Sequence, residues 1–136
     1  MVRLIMGAAG AGKTKQLIEL INGSVASESG SVVCIEPGTD MTYDVSHNVR
    51  LVNAAEYGVN SYDRLRGFVS GLYAGNYDIS HIFIDNLLKI VKDASALDTE
   101  NFLKWMDSFG DKCGIKFTVT VSADPETASE GMRRYM

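Results

Sequence analysis

Short apolar runs alternate with longer amphipathic stretches along the whole chain. "VRLIM" (2–6) is apolar enough for a strand, and "GKTKQLIELIN" (12–22) follows it with Leu17, Ile18 and Ile21 on one helical face. "SVVCIE" (31–36) and "VRLVN" (49–53) read as the second and third strands. "SYDRLRGFVSGLYAG" (61–75) places Tyr62, Leu65, Phe68, Val69 and Leu72 at helical spacing. Its Gly67 and Gly71, poor helix formers four apart, predict a close-packed face against a sheet. "ISHIFID" (79–85) is the fourth strand and "NLLKIVKD" (86–93) a short helix. "TENFLKWMDSFGDKC" (99–113) repeats apolar residues at Phe102, Met106, Phe109 and Cys113, with Gly114 as a stop signal. "IKFTVTVS" (115–122) is the fifth strand. "PETASEGMRRYM" (125–136) reads as a final helix with Pro125 in its first turn.

Five strands separated by helices predict an α/β fold, a three-layer sandwich whose five-stranded, mainly parallel sheet carries helices on both faces. "HIFI" and "VVCI" are apolar at successive positions, as strands covered on both sides are. Ligands on such sheets bind beyond the carboxyl ends of the strands, which directs attention to the loops after Met6, Ile35, Ile84 and Val121. A length of 136 residues fits one domain, 1–136, large enough for a core without disulfides or metal. No apolar run reaches membrane-spanning length and the first residues lack the three-part pattern of a leader, so a cytoplasmic location without a membrane partner is expected. The net charge of −4 speaks against a dedicated nucleic-acid binder. Cys34 and Cys113 are far apart with no paired CxxC, and read as free thiols in the core rather than a zinc site. His81 lies in a strand and reads as a packed residue.

The loop after the first strand adds chemistry. "GAAGAGKT" runs Gly7, Ala8, Ala9, Gly10, Ala11, Gly12, Lys13, Thr14, a full match to GxxxxGK[ST], with a strand before it and a helix after it. Glycines let backbone N–H groups wrap a phosphate closely, and the helix N-terminus adds partial positive charge. Lys13 is placed for the β- and γ-phosphates and the Thr14 hydroxyl for Mg²⁺. The expected cofactors are therefore ATP and Mg²⁺, with GTP left open because no guanine-reading NKxD-type motif occurs. Asp85, after the fourth strand, stands where a Walker B aspartate holds the magnesium shell; its alternative role is the N-cap of the following helix. Phosphoryl transfer also needs a group that orients the attacking oxygen. Asn86, directly after Asp85, carries no base. Glu36 at the end of the second strand is the candidate, with Asp40 and Asp124 next in line; an exposed loop acid is the alternative for Glu36.

These features resemble the RecA-like ATPases, the superfamily of RecA, DnaB-type helicases and KaiC-type proteins. There the Walker B aspartate is commonly followed by polar or small and apolar residues, and the catalytic glutamate ends the strand after the phosphate-loop helix. "HIFIDNLLKI" and "SVVCIE" reproduce both. The resemblance implies that Ser122 or Asp124, after the fifth strand, senses the γ-phosphate. It implies a strand order with the fifth strand between first and fourth, and the second and third beyond the fourth. The first strand then lies at a sheet edge, covered by the last helix or by a second subunit. The layout is also similar to small bacterial ATP-binding proteins loosely labelled twitching-motility (PilT-type) ATPases, without the histidine-rich boxes of the motility motors. A slow or partner-stimulated ATPase or ATP-dependent switch is the first functional expectation. Small-molecule, nucleoside-type kinase is the second, with Arg133 and Arg134 the sole candidates for a lid. A nucleotide-binding regulatory subunit without turnover is the third. A homo-oligomer or protein partner is expected, in which "MRRYM" carries an arginine to a neighbour's site.

Overall fold

Five parallel strands hydrogen-bond in the order β1-β5-β4-β2-β3 in the computed structural model: β1 (Val2–Gly7), β2 (Ser31–Glu36), β3 (Arg50–Asn53), β4 (Ile79–Ile84) and β5 (Lys116–Ser122). The structure describes residues 1–39, 41 and 44–136. Helices α1 (Lys13–Ser27), α2 (Tyr62–Gly75), α3 (Leu87–Ile90), α4 (Ala96–Cys113) and α5 (Glu130–Arg133) fill the connections. No helix among the described residues is long and apolar enough to cross a membrane.

The two faces of the sheet differ. Alternate residues of one face, among them Leu4, Val33, Ile35, Ile82, Ile84, Phe117, Val119 and Val121, pack with Leu65 and Val69 of α2 and Phe102, Leu103 and Met106 of α4. The other face meets α1, whose Leu17 and Ile21 pack on Val32, Cys34 and Phe83. Full burial of each such side chain contributes about 2 kcal/mol. On this second face the pleat also carries polar residues: Thr118, Thr120 and Ser122 on β5, His81 on β4 and Glu36 on β2.

Local chemistry explains the helix ends. Ser61 and Ser95 cap α2 and α4, each hydroxyl accepting a backbone N–H three residues on. Gly114, at φ 73°, ends α4 as the sequence predicts. Gly67 and Gly71 do not pack against the sheet. Both are exposed, and a methyl group at either position meets nothing within 4 Å. Their spacing places them on one helical face, but Tyr62, Leu65 and Val69 are the α2 residues that are buried.

The expected final helix is also corrected. Residues Pro125–Thr127 form a single 3₁₀ turn capped by Asp124, Ala128 is extended, and α5 is four residues long. This segment covers the outer edge of β1. The Leu4 N–H donates to the Tyr135 carbonyl at 2.7 Å, and Met132 and Tyr135 are buried. Ser129 anchors it to α4 by donating to Glu100 Oε2 at 3.0 Å. An edge that would otherwise invite pairing is thus occupied in part by the chain's own tail.

Candidate functional site

At the carboxyl end of the sheet the register brings the singled-out residues together. Glu36 pairs with Asn53, and Ile35 stands beside Ile84, which stands beside Val119. One residue further on, Glu36, Asp85, Thr120 and Ile5 therefore form a row across β2, β4, β5 and β1 on the α1 side. Ser122 lies beside Gly7, where the glycine-rich loop begins.

That loop leaves β1 and enters α1 through left-handed turns at Gly10 (φ 84°) and Gly12 (φ 83°), conformations that a side chain would strain. Gly12 is the N-cap of α1 and no side chain caps the helix, so its first N–H groups are not satisfied by a capping oxygen. Lys13 is buried at the start of α1, and its Nζ donates to the Ala8 carbonyl at 2.8 Å. The ammonium is thereby folded back over the loop. A Cβ at Gly7 would come within 3.3 Å of the Lys13 side chain, so the first glycine leaves the space that the lysine stem fills.

Asp85 is half-buried and tied in twice: its N–H donates to the Ile35 carbonyl at 2.8 Å, and Thr120 Oγ1 donates to its Oδ1 at 2.8 Å. It is not the cap of α3. Asn86 occupies that position, at φ 52° and without a capping side-chain bond, and its N–H donates to Thr120 Oγ1 at 2.8 Å. Asparagine is among the few residues that tolerate the left-handed region. The turn therefore explains Asn86 by backbone geometry, independently of any base. Thr120 is the residue that the sequence reading missed. Its signal was present as hydroxyls at alternate positions of "FTVTVS", one face of a fully buried strand.

Glu36 is buried rather than an exposed loop acid, with 2% of its surface accessible, and its Oε1 accepts the Met41 N–H at 3.3 Å. Burial pushes the Cys34 thiol far up, and the Asp85 and Glu36 carboxylates add to the rise, so Cys34 stays protonated. Asp124 turns away to cap the 3₁₀ turn, its Oδ1 accepting from the Glu126 N–H at 2.9 Å. Asp40 lies outside the described residues. Arg133 is committed to the tail, donating to the Ala128 and Glu126 carbonyls, and the Arg134 guanidinium lies over the Tyr135 ring.

The residues present fit a nucleotide phosphate with magnesium. The loop offers an uncapped helix start and a lysine, Thr14 stands in the first turn of α1, and Asp85 follows β4 at the same end of the sheet. Among the described residues no three His, Cys, Asp or Glu side chains gather into a cage. That suits Mg²⁺, which is held by one or two protein oxygens together with phosphates and water.

No family model matches the sequence, and no curated protein matches it. In structure, 132 solved chains match, so the layout is widely shared and does not by itself choose a function. One of them is the crystal structure of flagellar accessory protein FlaH from Methanocaldococcus jannaschii, with a TM-score of 0.59 at 13% sequence identity. The match covers 98% of this chain and 65% of that one, so the chain spans about two thirds of its length. Together with the strand order, this likeness shows that the fold is a RecA-like α/β core.

Proposed function

We propose that the protein binds ATP with Mg²⁺ on residues 7–14 and acts as a slow or partner-stimulated ATPase, an ATP-dependent switch. One observation carries this reading: a full GxxxxGK[ST] loop runs from a parallel strand into an uncapped helix, beside a row holding Asp85 and Glu36. The loop N–H groups and Lys13 take the phosphates. Thr14 and Asp85 hold the magnesium, with Thr120 fixing the Asp85 carboxylate. Magnesium, when bound, neutralises charge on the β- and γ-phosphates. Glu36, buried at the end of the neighbouring strand, would orient the attacking water, and Ser122, beside Gly7, is the candidate to sense the γ-phosphate.

The kinase reading needs a lid that excludes water and supplies cations. Its candidate Arg133 is already bonded within the tail, which favours the ATPase or switch. A phosphate-release assay on the wild type and Glu36→Gln tests the assignment. The expected result is slow release that the substitution stops while nucleotide binding persists. Release at an unchanged rate in Glu36→Gln overturns Glu36 as the base. Binding without release in the wild type supports the regulatory reading instead.

A further inference from the structure

The carboxyl end of the sheet carries a second concavity that phosphate binding on residues 7–14 leaves unused. A cavity of about 530 Å³ lies among Pro37, Ala54, Val59, Asn60, Lys89 and Lys92. A second, of about 340 Å³, shares Asn60, Lys92 and Asp93 with it and extends to Arg66. Small-molecule sites have this size and this mixture of apolar floor and few polar groups.

Both walls are built. In the first, Asn53 Oδ1 accepts the Ala55 N–H at 3.1 Å, and the Val59 N–H donates to the Ala54 carbonyl at 3.0 Å. Arg64 Nη1 donates to the Gly58 carbonyl at 2.9 Å and braces the same turn from behind. The second wall is residues 87–92, bracketed by Asn86 (φ 52°) and Asp93 (φ 61°). These are the two non-glycine residues with positive φ among the described residues, and such conformations concentrate at ligand clamps and active sites. Between them Leu87, Ile90 and Val91 are buried and hold the segment down, while Lys89 and Lys92 are exposed at the cavity. Among the described residues neither lysine has an ion-pair partner, whereas Lys104 and Lys116 each pair with a glutamate. In the lining of the first cavity Lys89 and Lys92 outnumber the one acid, Asp93, and on a chain of net charge −4 this local excess of positive charge attracts anions.

We propose that this cavity is a second ligand site, for a small organic anion bearing a phosphate or a carboxylate. The anionic group sits between Lys89 and Lys92, and the rest of the molecule covers Ala54, Val59 and Ile90. Two cations at one mouth do not make the extended cationic track that a nucleic-acid strand requires. Pro37 directly follows Glu36, and Lys89 is four residues past Asp85, so the site adjoins the row across the strand ends. Mutual influence between this ligand and ATP rests on the nucleotide reading above; binding of the anion does not.

The test is a titration of the isotope-labelled full chain with ribose 5-phosphate and, separately, with citrate, following backbone amide shifts. It is run on the wild type, on Lys13→Ala and on Lys89→Gln/Lys92→Gln. Shifts are expected at Gly58, Asn60, Lys89 and Asp93 in the first two proteins, and the response to one probe alone identifies the anionic group. Affinity is expected to fall roughly tenfold or more in the double glutamine variant, and to return in Lys89→Arg/Lys92→Arg. Shifts confined to residues 10–14 that vanish in Lys13→Ala overturn the proposal. So does equal binding by the glutamine variant, silence with both probes, or a response only to a single-stranded oligonucleotide. Failure of wild-type protein to bind Mg-ATP while the cavity still responds removes the nucleotide reading and leaves this one standing.

Discussion

The face of the sheet under α1 holds two polar clusters, one at each end of the strands, and they are built to opposite plans. At the amino end, His81 Nε2 and Thr118 Oγ1 are 2.8 Å apart, and His81 Nδ1 and Glu28 Oε2 are also 2.8 Å apart. Ser24 and Lys116 complete the cluster, and the His81 ring stacks on Phe83 at 4.0 Å. Burial pushes Glu28 up, but the hydrogen bond with His81 and the nearby charges outweigh it and hold its pKa below the ordinary 4.5. Burial pulls His81 below its ordinary 6.5 against the pull of Glu28. Glu28 is thus ionised and His81 neutral near pH 7, so Nδ1–H donates to Glu28 and the Thr118 hydroxyl donates to Nε2. This cluster is closed: each ring nitrogen is used, and α1 seals it. At the carboxyl end, Glu36 and Asp85 close the strand row, and Lys13 and Thr14 stand in the first turn of a helix that no side chain caps. An imidazole, a carboxylate and a hydroxyl in line do not make a site when nothing can reach them. An uncapped helix start near two carboxylates is the arrangement on which the nucleotide proposal rests.

Turnover separates the two ends most sharply. Glu36→Gln is expected to lower phosphate release about a hundredfold or more with Mg-ATP affinity retained, whereas His81→Gln leaves turnover of the folded protein unchanged. Stability separates them in the other direction. His81→Ala leaves the buried Thr118 hydroxyl without its ring partner and Glu28 with Lys116 at 3.5 Å, and is expected to cost about 2–3 kcal/mol in urea unfolding. A loss below about 1 kcal/mol removes the closed-cluster account. Thr120→Val lies between the two: loss of one hydroxyl that serves Asp85 and Asn86 is expected to cost about 1–2 kcal/mol. It is also expected to weaken magnesium-dependent nucleotide binding, which His81→Ala does not.

Acidity gives the smallest effect and the cleanest sign. His81 has a folded pKa below 6.5, so the unfolded chain takes up protons first as pH falls. Its contribution is whole above pH 6.5 and declines below it. Glu28 acts in the same direction below pH 4.5, losing its contribution as pH falls through the lowered folded pKa. Melting temperature is expected to drop on acidification from pH 6.5, and His81→Phe is expected to flatten that first limb. A wild-type profile that is level from pH 7 to about 5 contradicts the assignment of a neutral, buried His81.

The strands themselves were legible because parallel strands buried on both faces are apolar at successive positions; their order, β1-β5-β4-β2-β3, was legible only through the resemblance to the RecA-like ATPases. The loop was legible because GxxxxGK[ST] calls for a strand before it and a helix after it, and Lys13 and Thr14 do open α1. Asp85 was legible as a magnesium holder, a helix cap or both; the structure removes the cap by placing Asn86 there in a left-handed turn. Thr120 was invisible because a threonine in a strand is also an ordinary β-former. The tail failed for a different reason. "PETASEGMRRYM" has helical composition, but Ala128 is extended and the segment is shaped by its contacts with β1 and α4 rather than by local preference. Gly67 and Gly71 show the same limit, since spacing defines a face but not what that face meets.

The central claim is that residues 7–14 hold a nucleotide through Lys13. Isothermal titration calorimetry of Mg-ATP against wild type and Lys13→Ala tests it most directly. The account predicts one site per chain in the wild type and no measurable binding in Lys13→Ala, with melting temperatures of the two nucleotide-free proteins alike. Equal affinity in the two proteins, or no binding by either, contradicts it.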